Sequence, residues 1–271
     1  MTRRDDMLLL DVGGTTIKCG DGRMVLVPSG GSRSDIAAAF RKAVEGWRDG
    51  EGLWKRDLQV GVSIPGPFDY AKGTFLMKHK FASVYGEDFR SLAGLSDSAD
   101  VRFVHDVVAV LRGACPEGKT IAVFTLGTGL GFCHAENGVV RIAPSGAPEV
   151  SIWNMPWGDG ILEDKVSARG IKAEYGALGG NPQLSAAQIA RRAYDGEETA
   201  AQTFSNLGTT LGEALAPILE DLGVKTLLAG GQISRSLSLF RRPLVNALGD
   251  VEVLPVPEDA VFRGIKSLFD E

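Results

Sequence analysis

The sequence predicts an α/β protein built from two units that repeat one plan. Three observations lead there. Apolar strand-like runs end in Gly-Thr turns at two places about 115 residues apart, Gly13-Gly14-Thr15-Thr16 and Gly127-Thr128-Gly129. Each turn leads into a further β-like run and a hairpin signal, Asp21-Gly22 in the first and Asn137-Gly138 in the second. The 271 residues, 44% apolar and 23% charged, suffice for two cored domains at roughly 150 residues each.

The elements follow in order. Met7 to Val12 reads as a strand, and Ile17 to Val27 as two strands around Asp21-Gly22. Asp35 to Trp47 carries apolar residues at helical spacing (Ile36, Ala39, Phe40, Ala43, Trp47), with Ser34 as the expected N-cap. Leu58 to Ile64 is a strand stopped by Pro65-Gly66-Pro67. Val101 to Val104 is another, ending at His105-Asp106, with a helix from Val107 to Arg112. The second cycle opens with strand Thr120 to Leu126, then Phe132 to Ala135 and Val139 to Ile142 around the Asn-Gly turn. Helices are expected over Ile161 to Tyr175, Ala186 to Tyr194 and Glu197 to Leu222. Strand Val224 to Ala229 runs into Gly230-Gly231, which precede a helix with Ser234 near its start. That helix is read over Ser236 to Leu248, followed by strand Val251 to Val256 and a short helix from Ala260 to Phe269. The expected boundary falls near Arg112 to Lys119. It gives an N-terminal α/β domain over 1–112 and a C-terminal one over 113–271, whose last helix can pack back on the first.

Composition excludes several classes. A net charge of −5 argues against a nucleic-acid surface, which wants a clustered basic excess. No apolar run approaches the ~20 residues of a membrane span, and no secretory signal precedes Met7. Three scattered cysteines, Cys19, Cys115 and Cys133, make neither a disulfide scaffold nor a CxxC zinc site. A cytoplasmic protein with free thiols is expected.

Four features carry chemistry. Asp11-Val-Gly-Gly-Thr-Thr-Ile-Lys18 is not a Walker A loop, because a strand rather than a helix follows. Backbone N–H groups at Gly13, Gly14 and Thr15, with the hydroxyls of Thr15 and Thr16, can face phosphate oxygens. Asp11 can hold Mg²⁺ through water, since magnesium takes few carboxylates. A plain tight hairpin, its Asp satisfying turn amides, is the other reading. Gly127-Thr-Gly-Leu-Gly131 lacks the glycine spacing and the following helix of a dinucleotide fingerprint and fits a second phosphate-facing turn or a second plain hairpin. Gly230-Gly231 can present bare backbone to phosphate or a flat nucleobase, or simply turn the chain. Asp106, at a strand end where a cleft between the units is expected, can take a proton from an attacking hydroxyl, cap the following helix, or both. His79, in His79-Lys80-Phe81, lies on a loop and is either a substrate contact or solvated.

Together, LLLDVGGTTIK, VSIPGPFDYAKGTF, His-Asp before an apolar helix, FTLGTGLGF and LLAGGQIS resemble the ROK family of sugar kinases and repressors. The resemblance implies the two-domain actin-like, ribonuclease H-like ATPase fold. It assigns Asp11, Gly13, Gly14, Thr15, Thr16 and Lys18 to the first phosphate turn and Gly127, Thr128 and Gly129 to the second. Gly230 and Gly231 become the adenosine-side turn, and Asp106 the catalytic base. His105 stands where the family writes Asn, Ile152 where it writes the His of its Gly-Glu-x-Gly-His motif, and Glu149 retains that motif's Glu. Glu163 resembles a later sugar-contacting Glu, and the loop of His79 is one where family members contact sugar. The family's cysteine-rich zinc segment is absent, so no zinc is expected. The activity implied is transfer from ATP with Mg²⁺ to a monosaccharide hydroxyl, with a homodimer compatible. A silent sugar or nucleotide sensor and a polyphosphate-dependent kinase are the alternatives. A DNA-binding repressor would need a helix-turn-helix module ahead of the first strand.

Overall fold

The computed structural model describes residues 7–45 and 58–270. Trp47 and the segment before Met7 lie outside the described residues. The chain divides into two compact units, Met1–Ala114 with Ile142–Pro148 and Glu258–Glu271, and Cys115–Arg141 with Glu149–Pro257.

The first unit begins with strands β1 (Met7–Val12), β2 (Thr16–Cys19) and β3 (Met24–Leu26), a meander turned by Gly13-Gly14 and Asp21-Gly22. Helix α1 (Arg33–Val44) follows. Its N-cap is Ser32 and not Ser34: the Ser32 hydroxyl accepts from the Asp35 N–H, which places the first turn two residues earlier than the apolar spacing indicates. Strand β4 (Gln59–Ile64) is followed by the short hairpin β5 (Phe68–Asp69) and β6 (Thr74–Phe75), then by helix α2 (Phe89–Ala93). Strand β7 (Asp100–His105) runs directly into α3 (Asp106–Ala114). The sheet order is β3-β2-β1-β4-β7, with β1, β4 and β7 mutually parallel.

Alternation along β1 buries Leu8, Leu10 and Val12 in the same core as Ile36 and Phe40 of α1. Four phenylalanines fix that core. Phe40 lies 4.9 Å from Phe89, 5.7 Å from Phe75 and 6.0 Å from Phe81, ring centre to ring centre.

The second unit repeats the plan. Strands β8 (Ile121–Leu126), β9 (Leu130–Glu136) and β10 (Val139–Val140) form a meander, its second turn made by Asn137 and Gly138, both at positive φ. Strands β11 (Pro156–Trp157) and β12 (Gly160–Ile161) pair before helices α4 (Leu162–Val166) and α5 (Ala168–Ala177). The single helix expected over 161–175 is therefore two. Ser167 is extended (φ −85°, ψ −179°), and the break lets the Ala168 N–H donate to the Gly127 carbonyl at 2.9 Å. Helices α6 (Ala186–Tyr194) and α7 (Glu198–Asp221), strand β13 (Thr226–Gly230), helix α8 (Leu237–Leu248) and strand β14 (Glu252–Pro255) complete the unit. Ser234 sits in a 3₁₀ turn, Ile233–Ser236, rather than at the start of α8 itself. The sheet order is β10-β9-β8-β13-β14, with β8, β13 and β14 parallel.

The last helix, α9 (Ala260–Lys266), belongs to the first unit and gives way to a 3₁₀ turn at Ser267–Phe269. It meets α3 backbone to backbone. A Cβ on Gly113 would stand 1.8 Å from the Ala260 carbonyl oxygen, and one on Gly264 would stand 1.8 Å from that of Ala109. Gly264→Val is accordingly expected to cost about 3 kcal/mol by forcing the helices apart. Urea denaturation should show a lowered midpoint, and an unchanged one would refute this contact.

Candidate active site

Parallel pairing brings the chemistry of the first unit to one sheet edge. Asp11 of β1 is in register with Ser63 of β4, and Ile64 of β4 with His105 of β7, so all three strands end together. The Ser63 hydroxyl donates to Asp11 Oδ1 at 3.3 Å, and Lys18, beside Asp11 on β2, pairs with Oδ2 at 3.1 Å. Burial pushes the Asp11 carboxyl above the usual range, Lys18 pulls it back, and the charge of Asp106 pushes it up again. In the turn itself the Gly13 N–H donates to the Thr16 carbonyl at 2.9 Å. That donor closes the hairpin and is not among those a phosphate could use, contrary to the expectation from sequence.

Asp106 opens α3, and its Oδ1 accepts from the Val107 N–H at 2.7 Å. His105 Nδ1 lies 2.8 Å from the same oxygen and 3.3 Å from the Val107 nitrogen. Desolvation works to raise the Asp106 carboxyl, but His105, the Val107 N–H and Lys80 together hold it below the usual range. His105 is packed in turn. Its ring lies 5.9 Å from that of Tyr70, and a Cβ on Gly66 would touch both side chains. The Tyr70 hydroxyl donates to the Ile64 carbonyl at 3.1 Å, and burial pushes the phenol far upward, so it stays a neutral donor. With Nδ1 committed to Asp106, His105 retains only Nε2 for any other partner.

His79 is exposed, whereas Lys80 beside it is half-buried. A Cβ on Gly14 would lie 3.6 Å from Lys80 Cδ and Cε and 3.8 Å from Nζ, so the lysine side chain runs alongside the first Gly-Gly turn. Sequence reasoning passed over Lys80 because a loop lysine is ordinarily solvated. The signal that could have found it is Phe81, an apolar residue that follows and needs a core.

In the second unit the Gly127 N–H donates to the Gly129 carbonyl at 3.0 Å. Glu163 of α4 supports this turn from behind. Its Oε2 accepts from the Leu130 N–H at 2.9 Å, and its Oε1 pairs with Arg169 at 2.8 Å. A Cβ on Gly129 would stand 2.6 Å from that Oε2 and displace it from the Leu130 N–H. Both oxygens of the expected sugar contact are thus engaged within the second unit. Gly230 ends β13 in register with Thr125, and Gly231 has φ +85° with a Cβ position 2.3 Å from the Leu126 carbonyl oxygen. Glu149 is exposed, with Oε2 3.8 Å from Nε2 of the buried His134. Ile152 is 2% exposed and part of the core, so it stands apart from any solvent-facing site.

Among solved structures, a ROK family glucokinase from Streptomyces griseus, in complex with glucose and AMPPNP, is similar to this chain (TM-score 0.76, 20% identity, 97% of this chain and 98% of that one). So is the inorganic polyphosphate/ATP-glucomannokinase from an Arthrobacter strain (0.67, 18%, 97% and 98%). A ROK family transcriptional regulator homologous to the MLC protein of E. coli also matches (0.70, 17%, 100% of this chain and 80% of that one). No family model and no curated protein sequence matches the chain. The fold is therefore that of the ROK-type sugar kinases.

The donor set suits magnesium. Asp11 offers one hard carboxylate, and magnesium keeps most of its water shell and takes the rest of its oxygens from phosphates. Among the described residues no cluster of three or more His, Cys, Asp and Glu could hold a metal unaided.

The support of the second turn can be tested directly. Glu163→Ala leaves the Leu130 N–H without its acceptor and is expected to cost about 1–3 kcal/mol in chemical denaturation. Arg169→Ala, which removes only a half-exposed partner, should cost less than about 1 kcal/mol. Equal losses would show that the ion pair and not the turn carries the energy.

Proposed function

We propose that the protein is a carbohydrate kinase that transfers the γ-phosphoryl group of ATP to a monosaccharide hydroxyl. The observation that carries this reading is Asp106, a strand-end carboxylate kept ionised by His105 and the Val107 N–H, in a sheet where β1, on the far side of β4, ends in the Gly13–Thr16 turn. Similarity in fold to a glucokinase holding glucose and AMPPNP supports it.

In this reading Asp106 accepts the proton of the acceptor hydroxyl as the new O–P bond forms. Backbone and hydroxyls of Gly14, Thr15 and Thr16 bind phosphate oxygens on the first unit, as do Thr128 and Gly129 on the second, where the Gly127 N–H closes the turn as that of Gly13 does on the first. Gly230 and Gly231 present backbone to the adenosine side. Asp11, with Lys18 beside it, would hold Mg²⁺ through water. That ion, when bound, neutralises phosphate charge. Glu149, His105 through Nε2, and His79 orient the sugar. Glu163 acts there chiefly by shaping the second turn, and reaches sugar only if it exchanges its bond to Arg169.

A coupled ADP-release assay over a panel of sugars, with ATP or polyphosphate as donor, tests the activity and separates the two donors. Binding of nucleotide and sugar without turnover would favour a sensor. Asp106→Asn should lower kcat by at least about 10²-fold with nucleotide affinity nearly unchanged. Retained turnover would reduce Asp106 to a helix cap. Because Asp106 sits below its ordinary value of 3.8 whereas burial holds Asp11 above it, the acid limb of kcat/KM should set in above 3.8 with Asp11 and not with the base. In His105→Ala the acid limb should move upward, since the imidazole that does most to hold the Asp106 carboxylate ionised is gone.

Plain glucose is expected to be a poor substrate, because His105 replaces an amide and has one nitrogen already taken. His105→Asn should shift relative kcat/KM toward glucose, and glucose emerging as the best sugar of the unmutated protein would refute this. Restoring a histidine at Ile152 would not help, since it would bury an imidazole in the core. Activity should need Mg²⁺ and survive a zinc-selective chelator; stoichiometric zinc in the purified protein would contradict this.

A further inference from the structure

The segment Lys78–Phe81 is held more tightly than a surface loop requires. Phe81 has φ +53°, a left-handed conformation that a bulky side chain rarely adopts, yet it is fully buried. Its ring lies 5.4 Å from Phe75 and 6.0 Å from Phe40, and its N–H donates to the Ser29 carbonyl at 2.6 Å. The core and that hydrogen bond over-determine a backbone shape that would not persist alone. The residue this shape delivers is Lys80.

Lys80 lies along Gly14, with Nζ 3.8 Å from where a Cβ would stand, and its charge acts on Asp106. It therefore stands in the same neighbourhood as the backbone of the first turn and the carboxylate at the end of β7. The other lysine of the turn, Lys18, is committed to Asp11 at 3.1 Å. An ε-ammonium is a compact charge with three donors on a flexible stem, suited to oxygens that move during a reaction.

We infer that Lys80 is a catalytic residue whose ammonium group binds the transferring phosphoryl group between the first Gly-Gly turn and Asp106. The inference rests on the kinase reading. In the step it serves, the acceptor oxygen bonds to the γ-phosphorus and its proton passes to Asp106. The bond from that phosphorus to the bridging oxygen breaks, and ADP leaves with the electron pair. Lys80 exchanges no proton. It stays with the three non-bridging oxygens, whose negative charge it offsets throughout. In the free protein the same charge helps keep Asp106 ionised.

The test compares Lys80→Met, Lys80→Arg and, as a charge control, Lys78→Met, whose lysine is exposed and sits 5.5 Å over the Tyr85 ring. Lys80→Met should lower kcat about 10²-fold, with KM for the sugar and binding of ADP within about threefold of the parent. Lys80→Arg should recover at least about tenfold of the loss, and Lys78→Met should stay within about twofold. ADP with aluminium fluoride, a mimic of the phosphoryl in flight, should lose affinity in Lys80→Met while ADP alone does not. Lys80→Gln serves in place of the Met variant should that one fail to fold. An active parent whose Lys80 variants keep kcat within threefold, or lose only sugar binding, overturns the inference and leaves the kinase reading standing. A parent inert on every sugar with every donor overturns both.

Discussion

The chemistry of this protein depends on the parallel register of strands drawn from distant parts of the chain. In the first unit the pairing of Asp11 with Ser63 and of Ile64 with His105 makes three strands end at one edge, so residues far apart in sequence share a few ångströms. A slip of one residue would turn every side chain to the opposite face, exchanging Leu10 for Asp11 in the core. Leu8, Leu10 and Val12 prevent that slip, because their burial with Val60 and Val62 is lost in any other register. The functional edge is thus fixed by apolar residues that touch nothing reactive. The second unit obeys the same rule: Gly230 in register with Thr125 sets the two glycine turns at the ends of β13 and β8.

At the first of these edges two acidic groups are pushed in opposite directions. Burial dominates at Asp11 and raises it, whereas at Asp106 the histidine, the helix N–H and Lys80 overcome burial and lower it. Groups so divided suit different tasks. An ionised Asp106 suits the proton-accepting role proposed for it. Asp11, held against Lys18, gains most from a cation or from any change that brings positive charge nearby. Tyr70 takes part indirectly: its buried hydroxyl fixes the Ile64 carbonyl and its ring sits beside the imidazole on which Asp106 depends.

The sequence pattern makes the strands and glycine turns legible because alternation and turn chemistry act over a few residues. What it misses arises from contacts between distant ones. Two serines separated by Arg33 compete for one cap, and Ser32 takes it by accepting from the Asp35 N–H while the Ser34 hydroxyl pairs with that of Ser32. The apolar period runs unbroken through Ser167, yet the helix breaks there because the Ala168 N–H is drawn to Gly127, some forty positions earlier in the chain. Glu163 looks like a free carboxylate until the Leu130 N–H and Arg169 are seen to occupy it. Lys80 looks like a solvated charge until Phe81 anchors its loop.

The glycines distinguish what the protein needs for itself from what it leaves open. At Gly231 a side chain would collide with the Leu126 backbone at a positive φ, so packing within the unit alone demands glycine, and at Gly129 it would displace the Glu163 carboxylate from the Leu130 N–H. At Gly113 and Gly264 the demand comes from two helices in backbone contact. Gly127 is different. Nothing among the described residues lies within 4 Å of its Cβ position, and its φ is not positive. Gly14 would meet only the side chain of Lys80, at ordinary contact distance. Neither position is glycine because of its neighbours or its backbone shape. What the two share is room for a Cβ at a strand end, next to a threonine hydroxyl, although the Gly127 N–H and carbonyl are already paired with Gly129 and Ala168. Such openness admits close approach of an outside group to the main chain, which is what the proposed phosphate contacts require.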